Sequence, residues 1–143
     1  MFKQWRPLGE DLGSFPGLDV LVHGRDVTVI WEEWVNGECV FKMRVEFGPT
    51  LANLRIWDES SVGFDSQPPV SNLQFDPNEP GHYNAHLELD SSVRETYNEY
   101  AQMLYERIDR YYFWGQEIVL LLDVADAQPV VTVEVPRVPR HGA

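Results

Sequence analysis

Four side chains able to do chemistry recur at every second position of one short segment: His82, Asn84, His86 and Glu88. Imidazole and carboxylate are metal ligands and proton-transfer groups, so this run is the first place to look for a site. Its alternation with Tyr83, Ala85, Leu87 and Leu89 predicts a strand over 83–89, with the four polar groups on a solvated outer face. On a strand, His82 and His86 stand about 13 Å apart, whereas one zinc needs its ligands near ~2 Å. The spacing therefore argues against a metal site.

Nucleophilic chemistry has less support. No Gly-x-Ser-x-Gly elbow occurs. The one cysteine, Cys39, falls on the apolar side of a predicted strand, the setting of a small buried hydrophobe. Glu32-Glu33 and Asp58-Glu59 are adjacent acids, and on strands adjacent residues point to opposite faces. No glycine-rich loop is set to cradle phosphate. These absences lead to the expectation of a protein that is not an enzyme and uses no cofactor. An enzyme built around His82, His86 and Glu88 stands as the alternative.

The elements that would hold these residues are read from periodicity. Alternation and β-branched or aromatic residues predict strands over 18–22, 27–34, 39–47 and 54–57. Asn36-Gly37 is a strong hairpin signal. A three-residue loop, 36–38, would pair Trp31 with Met43, Val29 with Val45 and Glu32 with Lys42. It is preferred because it sets like beside like, and it leaves Trp34 on the polar face opposite Val40.

Ser92-x-x-Glu95 has capping-box spacing, and Val93, Tyr97, Tyr100, Leu104, Ile108 and Tyr111 repeat every three or four residues. That pattern predicts one long amphipathic helix over about 92–114, with a Glu106–Arg110 ion pair outside and Gly115 as its stop. The aromatic run at 111–114 is then a plug between the helix end and the sheet. The apolar run 118–124 predicts a central strand buried on both faces, followed by Val130–Val135. The expected fold is α+β: an antiparallel meander of about six or seven strands packed by that helix. A single domain spans 1–143, with an irregular arm over 1–17 and a disordered tail over 136–143.

Charge supplies the functional argument. The chain has 143 residues, 23 acidic and 11 basic side chains, and a net charge of -12. That balance argues against nucleic acid and anionic membranes as partners. No apolar run reaches the ~18 residues of a membrane span, and no secretory apolar stretch opens the chain, so a cytoplasmic location is expected. One cysteine excludes a disulfide framework.

Within 58–99 only Arg94 offsets nine acids. Much of that stretch, 58–81, is rich in proline and lacks periodicity, which is the character of a functional loop. The expected binding residues are Asp58, Glu59, Asp65, Asp76, Glu79, Glu88, Glu95 and Glu99, with Trp34 as an aromatic anchor. The expected function is an acidic binding protein that neutralises a basic protein partner, of the bacterial toxin- or nuclease-immunity type. It would be a monomer or weak homodimer. A third reading is an assembly subunit that pairs through the edge of Val130–Val135.

Overall fold

Asn36 and Gly37 both adopt positive φ, 51° and 77°, as a two-residue type I′ turn requires. The strands they join are β3 (Asp26–Val35) and β4 (Glu38–Phe47). The turn sets Val35 against Glu38 and Trp34 against Cys39, yet further along Glu32 meets Lys42, Trp31 meets Met43 and Val29 meets Val45. Both registers hold because β4 carries one extra residue, Val40, as a bulge. The expected core pairing is therefore present, but the expected three-residue loop is not. The bulge also shifts Cys39 opposite Trp34, out of line with the buried Phe41, Met43, Val45 and Phe47.

The computed structural model describes residues 2–10, 12–13, 16–48, 51–58, 85–88 and 92–138. Besides the hairpin it contains β1 (Lys3–Gln4), β2 (Gly17–His23), β5 (Leu51–Asp58), β6 (Ala85–Glu88), β7 (Ile108–Trp114), β8 (Ile118–Ala125) and β9 (Val130–Val135). Two short helices, α1 (Ser92–Glu95) and α2 (Glu99–Leu104), lie between β6 and β7. The strands form two antiparallel sheets, ordered β2-β3-β4-β9 and β1-β6-β7-β8-β5.

This architecture corrects the α+β expectation. The fold is mostly β, and the long helix over 92–114 does not form. Asn98 ends the first helical turn and caps a second, its Oδ1 accepting from Ala101 N at 2.9 Å. Beyond Leu104, the β-branched and aromatic run of 108–114 becomes a strand, because β8 is buried on both faces and must be flanked by strands on both edges. The 111–114 aromatics alternate between two buried faces of β7 and plug no helix end. Arg110 pairs with Asp123 in place of Glu106, and Gly115 begins the β7–β8 loop. A Cβ on Gly115 would lie 2.8 Å from Leu18 and 2.9 Å from Pro16 O, so only glycine fits there. The predicted strand at 54–57 is part of β5, which pairs with β8 and not with the β3–β4 meander.

The sheets pack through edge-to-face aromatic pairs. Phe47 meets Tyr111 with centroids 4.8 Å apart, Trp31 meets Phe113 at 6.2 Å, and Trp5 sits against both Tyr111 and Phe113 at 5.5 and 5.6 Å. Such pairs add to the area they bury. Trp5 and Leu12 thus pin the N-terminal arm, part of which forms β1 against β6. The other face of the five-stranded sheet is buried too, around Phe2, Tyr112, Trp114, Val119 and Leu121. At the C-terminal end Arg137 lies over the Phe41 ring, 4.4 Å from its centroid, and pairs with Glu33 at 2.8 Å.

Candidate partner-binding surface

The 92–107 segment ahead of β7 holds two of the expected binding residues, and side-chain hydrogen bonds tie it together. Arg94 donates from Nε to the Tyr105 carbonyl at 2.7 Å and from Nη2 to the Gln102 carbonyl at 2.5 Å. It thereby satisfies carbonyls at the C-terminal end of α2 that the short helix cannot pair. Gln102 Nε2 reaches back to the Tyr97 carbonyl at 2.8 Å. The Arg25 guanidinium donates to the Tyr105 hydroxyl at 2.9 Å.

Tyr97 ties this clasp to the sheet. Its hydroxyl donates to Asp123, a fully buried carboxylate on β8. The same carboxylate accepts two bonds from Arg110, at 2.7 and 2.9 Å. This fork geometry is the strong form of a charge-assisted pair. Burial, reinforced by the bond to Asp123, pushes the Tyr97 phenol well above its usual range. The bond to Asp123 raises Arg110 as well, so both groups hold their protonated forms in the fold.

On this frame α2 buries none of its residues. Tyr100, Met103 and Leu104 are 68%, 82% and 53% exposed. Glu95, Glu99 and Glu106 are exposed on the same segment, and none of the three has an ion pair among the described residues. The nearby cations are engaged elsewhere: Arg94 with carbonyls, Arg107 with Asp109, and Arg110 with Asp123. The result is an apolar knob accompanied by unopposed negative charge.

The remaining expected residues fall in other places. Asp58 ends β5 at the surface. Glu88 is half-buried on β6 and stands opposite Arg110. Trp34 is half exposed on the β3–β4 hairpin, where its Nε1 donates to Glu32 at 2.9 Å. Glu59, Asp65, Asp76 and Glu79 lie outside the described residues, as do His82, Asn84 and the 59–84 stretch as a whole. His86 alternates as expected, but its face is not solvated. It is fully buried beside Tyr112, with ring centroids 6.2 Å apart. No cluster of three or more metal-type side chains occurs among the described residues, and no helix among them is long and apolar enough to cross a membrane.

Sequence reasoning missed Tyr100, Met103 and Leu104 as surface groups, because helical periodicity credited Tyr100 and Leu104 to a core. The signal that could have exposed them is Asn98, a strong N-cap residue in the middle of the supposed helix. Compared with protein families, with curated proteins and with solved structures, the chain finds no match in any of the three.

Proposed function

We propose that this chain is a small acidic binding protein that neutralises a basic protein partner, most naturally a toxin or nuclease met in the cytoplasm, as bacterial immunity proteins do. The observation that carries the reading is the clasped 92–106 segment. It spends its central cation, Arg94, on backbone carbonyls and leaves Glu95, Glu99 and Glu106 without an ion pair among the described residues, beside Tyr100, Met103 and Leu104. Unopposed carboxylates steer a cationic partner and raise the encounter rate. Exposed aromatic and thioether side chains give such an encounter an apolar centre that excludes water. Pre-ordering by Arg94, Asn98 and Tyr97 lowers the entropy lost on docking.

Affinity capture from the source cell, followed by binding kinetics on the purified partner, tests the proposal. The expected partner has a basic isoelectric point and an enzymatic or toxic activity that this chain suppresses. Its association rate falls as salt rises, and falls about tenfold in the double variant E95K/E99K with the fold intact. Capture of acidic or neutral partners alone, or salt-independent association, would overturn it.

A further inference from the structure

Strand edges present unpaired backbone N–H and C=O groups, and proteins defend them with short length, charge, proline or bulges. Among the described strands, three of the four sheet edges are defended. β1 has two residues. β5 shifts register at its start and carries Arg55 and Asp58. β9 is bulged at Glu134 and bounded by Pro129 and Pro136.

β2 differs. It pairs with β3 over seven residues without a break, and its sequence, Gly-Leu-Asp-Val-Leu-Val-His, has no proline, lysine or arginine. Leu21 and Val22 are 62% and 52% exposed, with Asp19 and His23 exposed on either side.

We infer that β2 pairs antiparallel with β2 of a second copy, about a twofold axis through Leu21. In that register Leu21 faces the partner's Leu21, Val20 faces the partner's Val22, and Asp19 faces the partner's His23. Every pair is complementary: apolar meets apolar, and an imidazole N–H meets a carboxylate acceptor. The axis also preserves the faces. Val20 and Val22 lie opposite the buried Val29 and Val27 within one copy, so across the axis they extend the core side of the sheet. Centring on Val20 would instead oppose Asp19 with the partner's Leu21. The twofold register joins two four-stranded sheets into one of eight and pairs the two β2 edges with each other.

Each copy carries a net charge of -12, so self-association works against repulsion and strengthens as salt screens it. That is opposite in sign to the salt dependence of a basic partner. Sedimentation equilibrium over a range of protein concentration, at low and high salt, reads it directly. The expected mass rises from one chain toward two with concentration, and further at high salt. L21K, at an exposed site, sets lysine against lysine and weakens association by about tenfold or more. With Cys39→Ala as background, a short bis-maleimide joins L21C chains to one another, while T132C on β9 stays monomeric. A single-chain mass under all conditions, a dimer indifferent to L21K, or equal cross-linking of the two cysteine variants would each overturn the inference.

Discussion

The outer faces of the two sheets carry charge in opposite ways. On the four-stranded sheet Lys42 lies 3.6 Å from Glu32 and 3.7 Å from Glu134, and Arg44 lies 3.5 Å from Glu134, all partly exposed. On the five-stranded sheet Arg110 and Asp123 form a forked pair on the face of Tyr112 and Leu121, the carboxylate fully buried and the guanidinium mostly so. The same residue types are loosely placed in one face and tightly fixed in the other. In water the partners of a broken pair are simply solvated, so the geometry can be approximate. In a dry face a lone charge is severely penalised, so every oxygen and N–H must find a partner. Asp123 accordingly accepts from both Arg110 nitrogens and from Tyr97.

The sharpest way to break this contrast is Asp123→Ala. It removes the forked partner of Arg110 and the acceptor of Tyr97 at once, and should cost about 3–5 kcal/mol in a denaturant titration. A loss no larger than that of a surface pair would show that water reaches this face. Glu33 sets a second test between the extremes. Its carboxylate accepts from Gly13 N at 3.0 Å, Trp31 Nε1 at 2.7 Å and Arg137 at 2.8 Å. Glu33→Ala should cost about 2–3 kcal/mol by the same titration, as three donors lose their acceptor at once.

Tyr97→Phe should cost about 1–2 kcal/mol and also change the response to alkali. An unfolded tyrosine ionises near pH ~10, while burial and Asp123 hold Tyr97 neutral in the fold. Burial and the charge of Asp109 do the same for Tyr111. Stability should therefore be complete below pH ~10 and fall as pH rises beyond it. Thermal melts should show a shallower fall in Tyr97→Phe, in which Tyr111 still titrates in this way. The smallest effect belongs to Lys42→Ala, expected to cost under about 1 kcal/mol and to fade with salt. If it matched Asp123→Ala, the distinction between the two faces would collapse.

Where local pattern and long-range packing agree, the residues are readable in advance. The pairing of Trp31 with Met43 and of Val29 with Val45 follows from setting like beside like, β8 follows from its apolar run, and β9 lies at the expected Val130–Val135. The Val40 bulge was not legible, because it reconciles a turn preference with a core preference, each of which taken alone predicts a regular hairpin. The 92–114 region failed for a different reason. Val93, Tyr97, Tyr100, Leu104, Ile108 and Tyr111 fit a helix by spacing, but only tertiary context shows that β8 needs Ile108–Trp114 as its neighbour. Of the candidate surface, Glu95 and Glu99 are visible in the sequence as acids offset only by Arg94. The carbonyl clamp of Arg94 is not, since nothing in a sequence says that a cation will prefer backbone oxygens to nearby carboxylates.

The return of β9 to β4 bears on how the chain is made. As synthesis proceeds, β2, β3 and β4 can assemble early, but β4 keeps an open flank until β5 through β8 have been produced and β9 arrives. During that interval Met43 and Val45 lack their neighbours Val133 and Val131, and Glu33 lacks Arg137. The nascent protein thus exposes, for that interval, a β4 flank that the finished molecule conceals. Chains stalled before β9 should need a chaperone that those released complete do not.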